Sequence, residues 1–200
     1  MENQVKISIM KNVNQILLDI YEIDKETGNF RIPVRFEDRQ DLYNPIDPSP
    51  APVRDLSEEL ADYLDQCSDE IPLEKSIQIE IEFTTGDRDE NFEKECKSSI
   101  RTYYTHEMYV KISDLNAQKR LSLKHLAVSI SCLSAYLISE NFESTFILYT
   151  LLQEAVLIGG WVFMWEAVTH YFIHNQPTRL EIGKKKRLLE CTILFKYQKA

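Results

Sequence analysis

Glycine is almost missing from this chain: five residues in 200, at positions 28, 86, 159, 160 and 183. Their spacing fits neither the dinucleotide-binding fingerprint nor the loop that cradles a nucleoside triphosphate, both of which need glycines where backbone approaches phosphate. Cysteine is equally sparse. Cys67, Cys96, Cys132 and Cys191 stand too far apart for a CxxC redox or zinc pair, which excludes a disulfide scaffold and fits a reducing compartment. No run of Lys or Arg is interleaved with aromatics and the formal net charge is −9, so phosphate backbones are repelled and nucleic acid is not an expected partner. No nucleophile stands beside a recognisable base; the residues point to no enzyme and to no cofactor.

A further absence locates the most informative region. Between Lys124 and Arg179 lie 54 residues without a single Lys or Arg, where the chain-wide frequency would place about six. Acidity gathers elsewhere: residues 1–120 carry 15 basic and 26 acidic side chains, residues 121–200 carry 8 and 6. Inside the gap are two apolar stretches, Leu126 to Ile138 and Phe146 to Val168, separated by the polar break Ser139 to Ser144. Cations flank the whole: Lys119, Arg120 and Lys124 before it, Arg179, Lys184, Lys185, Lys186 and Arg187 after it. This is the positive-inside pattern of a helical hairpin with both ends in the cytoplasm.

A bilayer core needs about 20 residues of helix. The second stretch meets that length; the first meets it when counted from Leu121 to Ser139, with Lys124 and His125 reaching toward the interface. Small residues recur at Ala127, Ser131 and Ala135, and again at Ala155, Gly159 and Gly160, the spacing that lets membrane helices approach closely. Aromatics mark the boundaries, with Tyr136, Phe142, Phe146 and Tyr149 on the far side and Tyr171 and Phe172 on the near side; Trp161 and Trp165 read as interface anchors. Against lipid stand Gln153 and Glu154, well inside the second stretch, where a carboxylate costs about 2.5–3.5 kcal/mol. They are read as a polar seam across the hairpin, Glu154 facing the hydroxyls of Ser129, Ser131 and Ser134, or as a functional carboxylate. The alternative to a membrane hairpin is a soluble one that forms a core or a dimer interface. The N-terminal residues MENQVKISIM carry no apolar signal segment.

Ahead of the hairpin the pattern is mixed. Val5, Ile7 and Ile9 alternate with polar residues, as do Ile16, Leu18 and Ile20, then Phe30, Ile32, Val34 and Phe36, and finally Ile77, Ile79, Ile81 and Phe83; period two predicts half-buried strands. Residues 25–29, KETGN, have hairpin-turn chemistry, and Pro33 predicts an edge strand. Glu80 and Glu82 are expected to meet Arg31 and Arg35 across a strand pair. Pro45, Pro48, Pro50 and Pro52 make a stiff connector, and Asp55 to Glu58 a capping box that opens a helix with Leu56, Leu60, Tyr63, Leu64 and Cys67 on one stripe. Residues 91–120 read as a long helix running into the first apolar stretch. The last segment, Thr192 to Tyr197, is β-branched and aromatic and predicts a strand returning to the sheet. The expected fold is α+β: a small, mostly antiparallel sheet with a long helix and a C-terminal apolar helical hairpin that spans a membrane. Its regions are an acidic cytosolic part (1–120), the hairpin (121–174), and a basic segment with the terminal strand (175–200).

One constellation suggests metal: Glu166, His170 and His174 at i, i+4 and i+8 on one helical face. The general-base Glu of an HExxH site is missing, and a polar seam where the helix leaves the membrane explains the same spacing. The segment LIGGWVFMWE, residues 157–166, resembles short bacterial proteins of no assigned activity, in which an apolar helix with a Gly-Trp-Val-x-x-Trp core precedes a basic stretch and a short terminal strand. The likeness covers about the last 60 residues. It implies a bacterial, membrane-linked protein and brings no catalytic residues. The expected function is a two-span regulator or effector in the cytoplasmic membrane, both termini cytoplasmic, with a ligand- or partner-sensing domain and with the bilayer and further copies or another protein as partners.

Overall fold

Alternation of apolar and polar residues in FRIPVRF and IQIEIEF gives two strands with one apolar face each: β1 (Phe30–Phe36) and β2 (Ile77–Phe83). The third strand, β3 (Thr192–Tyr197), comes from the end of the chain. The computed structural model describes residues 15–84, 87–141 and 146–197, without the side chains at 174 and 175. The strand expected at residues 5–9 lies outside them. Between the strands run α1 (Glu58–Glu70), α2 (Glu90–Ser139), α3 (Ile147–Thr169), a π-helical turn (His170–His174) and α4 (Asn175–Glu190). Two 3-10 turns, Arg39–Leu42 and Ala51–Val53, punctuate the proline-rich connector.

The sheet corrects the expected strand direction. Its order is β1-β2-β3 and both pairs are parallel, Ile32 opposite Ile79 and Ile79 opposite Ile193. The physical reason is in the connections: each strand is followed by a helix-bearing excursion, and a chain that crosses over before pairing returns in the same direction. The sequence 16–20 that was expected to make the antiparallel partner of β1 is helical instead, with Leu17 buried and Ile16, Leu18 and Ile20 exposed. What remains of the expected hairpin is a single antiparallel bridge, Ile23 to Phe30, across a turn in which Gly28 takes φ +72. The protein is therefore mostly helical with a small all-parallel sheet.

The chain divides into two compact units, Met1–Met108 with Gly183–Ala200, and Tyr109–Ile182. In the first, the sheet face carrying Ile32, Ile79, Ile81, Phe83 and Ile193 is buried against Leu60, Leu64 and Cys67 of α1 and Cys96, Ile100 and Tyr104 of α2. Burying such side chains contributes about 1.5–3 kcal/mol apiece. The opposite face is a charge ladder: Arg35 meets Glu82 at 2.8 Å, as expected, while Arg31 turns to Asp24 at 2.6 Å and Glu80 takes Lys196 at 2.6 Å. Pro33 does sit on an edge strand, and its carbonyl accepts the Tyr63 hydroxyl at 3.1 Å. Helix α1 starts two residues later than the capping box proposed, at Glu58 with Ser57 as its N-cap, because Asp55 and Leu56 are held in extended pairing with Asn44 and Tyr43.

The basic segment is consumed inside this unit. Lys184 pairs with Asp69 at 2.8 Å, and Lys185 with Asp65 at 2.6 Å and Glu107 at 3.3 Å. Burial raises the Asp65 carboxyl, and the Lys185 ammonium opposes that shift. The Arg187 guanidinium caps the end of α1, donating to the carbonyls of Ser68, Ile71 (3.0 Å), Pro72 (2.7 Å) and Lys75 (3.1 Å). Ser68 lies in the last turn of α1, where carbonyls lack intrahelical donors, and Ile71, Pro72 and Lys75 belong to the segment that follows it.

Candidate functional site: the apolar hairpin

The second unit is built on the C-terminal half of α2 and on α3. Both helices are long and apolar enough to cross a membrane; only 11% of the most apolar window within Glu90–Ser139 and 6% of that within Ile147–Glu190 is buried in the protein. A helix at the centre of a soluble core is mostly covered, so the exposed side chains, among them Ile130, Leu137, Leu151, Ile158, Trp161 and Trp165, form an apolar surface that is left uncovered among the described residues.

Where the two helices do meet, they are joined by hydroxyls given to main-chain carbonyls. Ser122 Oγ donates to Ala167 O at 2.8 Å and Ser129 Oγ to Gly160 O at 2.7 Å, both buried. Gly160 is packed tightly against the other helix: a Cβ there would lie 2.8 Å from Leu133 Cδ2. Toward the far end, Tyr149 donates to Ser139 O at 2.9 Å and Gln153 Nε2 to Ser139 Oγ at 2.9 Å. Of the two polar residues singled out in the second stretch, Gln153 reaches across the hairpin. Glu154 lies on the exposed side of α3, while Ser131 returns its hydroxyl to Ala127 O of its own helix. Ala127, Ala135 and Ala155 are also exposed, and Gly159 has nothing within 4 Å of the position a Cβ would take.

At the near end the π-helical turn begins. His170 Nε2 lies 3.3 Å from Glu166 Oε1, and the His125 ring stands 5.6 Å from that of His170 and 5.9 Å from that of Phe163. Spacing in sequence pointed to His174, whose side chain is outside the described residues; what the fold brings to His170 is His125, on the other helix and 45 positions away. No sequence signal marks that pairing. Among the described residues no group of three or more His, Cys, Asp or Glu side chains is arranged to hold a metal.

Two features of the sheet unit bear on chemistry. At the carboxyl ends of the strands, where open α/β sheets commonly receive ligands, aromatic rings fill the space: Phe83 stacks against Phe36 at 6.0 Å and Tyr197 at 6.0 Å and meets Phe92 edge-on at 5.4 Å. The N-terminus of α2 is occupied by the Asp89 carboxylate, which accepts from the N–H groups of Asn91 and Phe92. Burial pushes the Cys96 thiol up to about 12 and Cys191 up to about 11, the opposite of what a thiolate nucleophile needs. A cavity of about 690 Å³ opens beside β1, lined by Pro33, Arg35, Phe36, Gln40, Tyr43 and Tyr63 among others. Sequence reasoning did not anticipate it, because its walls come from an edge strand, a 3-10 turn and α1. Comparison with protein-family models, curated proteins and solved structures gives no match.

Proposed function

We propose that this chain is a two-span protein of a cytoplasmic membrane, a regulator or effector that works by binding rather than by catalysis. In this reading residues 140–144 lie on the far side and the sheet unit faces the cytoplasm. The observation that carries it is the small buried share of two helices with membrane-spanning length and composition, 11% and 6%. Exposing that much aliphatic and aromatic surface to water is unfavourable by about 25 cal/mol per Å². Hydrocarbon relieves that cost without any further contact, and the stretch 125–178 supplies no Lys or Arg to resist insertion, leaving Glu154 as the one carboxylate deep within an apolar stretch. The cavity beside β1 falls within the 300–1,000 Å³ usual for small-molecule sites, and its aromatic walls with the polar groups of Arg35 and Gln40 suit a small polar ligand that the sheet unit would sense.

Alkaline carbonate extraction of expressing cells tests the reading. The chain is expected in the membrane pellet; recovery in the supernatant would overturn it in favour of a soluble interaction protein whose hairpin is an interface. Labelling of an Asn141→Cys, Cys132→Ser variant tests topology, with a membrane-impermeant reagent expected to reach position 141 from the far side only.

A further inference from the structure

The cavity of about 690 Å³ beside β1 has two polar walls. One is the edge of β1 itself. Phe30 donates to Ser76 O and Phe36 accepts from the Thr84 N–H, so by the alternation of a strand Phe30, Ile32, Val34 and Phe36 pair with β2 while Arg31, Pro33 and Arg35 turn their main chain outward. The Arg31 N–H goes to Glu22 O; Pro33 has no N–H, and its carbonyl accepts the Tyr63 hydroxyl. That edge offers an added peptide strand no continuous ladder, but the N–H and carbonyl of Arg35 are left to a short molecule in the cavity. The second wall is the start of α1, where Glu59, Leu60 and Tyr63 share one side of the helix. Ser57 is its N-cap residue, yet the side chain caps nothing: it is 6% exposed, lines the cavity, and its hydroxyl has no partner among the described residues. The first intrahelical bond runs from the Ala61 N–H to Ser57 O, so the N–H groups of Glu58, Glu59 and Leu60 are without acceptors among the described residues.

From this we propose that the cavity takes a free α-amino acid with an apolar or aromatic side chain: its carboxylate at the Ser57 hydroxyl and the first-turn N–H groups of α1, its ammonium at the carboxylates of Glu59 and Asp41, its side chain against Phe36 and Tyr63. The inference rests on the reading of the sheet unit as a sensing domain and names the ligand class. Uncapped N–H groups at a helix start, with the positive end of its dipole, receive a carboxylate. A purely anionic ligand such as a phosphate is disfavoured, because Glu59 and Asp41 line the same space and the Arg35 guanidinium is held by Glu82 at 2.8 Å on the charge ladder. A purely cationic ligand would leave the buried Ser57 hydroxyl and the first-turn donors unmet. A zwitterion satisfies both sets, and the main-chain N–H and carbonyl of Arg35 add one donor and one acceptor. The apolar body of the ligand has aromatic rings to rest on, which excludes water from the polar contacts.

The experiment is isothermal titration calorimetry of the purified full chain in detergent micelles. The probes are L-phenylalanine and L-leucine, with phenethylamine, which lacks the carboxylate, and 3-phenylpropionate, which lacks the ammonium, as comparisons. Both amino acids are expected to bind, and each comparison compound to bind about tenfold or more weakly than L-phenylalanine, the loss that one charge-assisted contact makes. Ser57→Ala and Glu59→Gln are each expected to melt as wild type does, since neither side chain holds the fold, and to bind L-phenylalanine about tenfold more weakly. Absence of binding by both amino acids overturns the proposal. So does a comparison compound that binds as tightly as L-phenylalanine, or either variant that binds it like wild type. Carbonate extraction of the same chain separates this from the membrane reading: a pelleted chain that binds no amino acid overturns the site alone, and a chain that binds amino acids but stays in the supernatant overturns the membrane reading alone.

Discussion

The two units of this chain solve the problem of charged and apolar surface in opposite ways. In the sheet unit charges are met by acceptors, as at Arg31, Arg35, Lys184, Lys185, Arg187 and Lys196, and the core side chains face inward. In the hairpin unit hydrogen bonds face inward, from Ser122 and Ser129 to carbonyls, and the large apolar residues face outward. The contrast teaches that the same residue type carries different meaning in each. An exposed isoleucine is ordinary on the first and part of a continuous apolar surface on the second.

The strongest way to break the comparison is to remove a strand. Truncation after Glu190 deletes β3, which pairs with β2 and buries Ile193, and leaves the central strand as an open edge. The sheet unit is expected to lose its fold, seen as rapid cleavage by limited proteolysis and loss of the remaining strand signal in circular dichroism; a truncated chain as resistant as the full one would show β3 to be an appendage.

Next comes Arg187→Ala. It strands three part-buried carbonyls around the end of α1, those of Ser68, Ile71 and Pro72, and a buried acceptor left without its donor costs about 1–3 kcal/mol. Denaturant unfolding monitored by far-ultraviolet circular dichroism should register a shift of that order, while carbonate-resistant membrane association stays as in wild type.

One substitution made in both units sharpens the contrast. Ile46→Arg, at a residue 87% exposed in the sheet unit, is expected to change stability by no more than about 0.5 kcal/mol. Ile158→Arg, 61% exposed in the hairpin, should disfavour insertion by about 2.5–3.5 kcal/mol if the helix spans a bilayer. Equal, small effects in a glycosylation-based insertion assay would remove the distinction between the units.

The smallest expected effect is on pH dependence. The Arg31 guanidinium beside Asp24, with the N–H groups of Thr27 and Glu26, holds that carboxyl well below the usual aspartate range. A carboxyl lowered in the folded state contributes stability at pH values above its ordinary pKa of about 3.9 and loses it as pH falls toward the folded value. Asp24→Asn should therefore be less stable than wild type at neutral pH, the two converging in thermal melts taken below about pH 3.

Particular elements show how far the sequence could be read. Ser76 to Phe83 was legible as a strand because apolar residues recur with period two, Thr192 to Tyr197 because it is β-branched and aromatic, and the latter does return to the sheet as expected. Strand direction was not legible from that alternation, because this parallel sheet leaves one face to a charge ladder and so carries the pattern usual for antiparallel sheets. The helix at 15–20 was mistaken for a strand since Ile16, Leu18 and Ile20 alternate over only five residues, a span too short to separate the two periods. In the hairpin, Gln153 and Glu154 were legible as the polar pair, but their division of labour was not: adjacent helical positions are turned by about 100°, and only packing shows which one faces the partner helix.

The sequence by itself determined the two apolar helices, the cation-free stretch between Lys124 and Arg179, the edge position of Pro33 and the strand character of the chain's end, since each follows from local composition and periodicity. Only the tertiary structure decided the parallel register, the meeting of His125 with His170, the use of Arg187 as the cap of α1, and the outward placement of Glu154. These depend on contacts between residues tens of positions apart or on the rotation of one helix against another, and both are fixed by packing rather than by any signal along the chain.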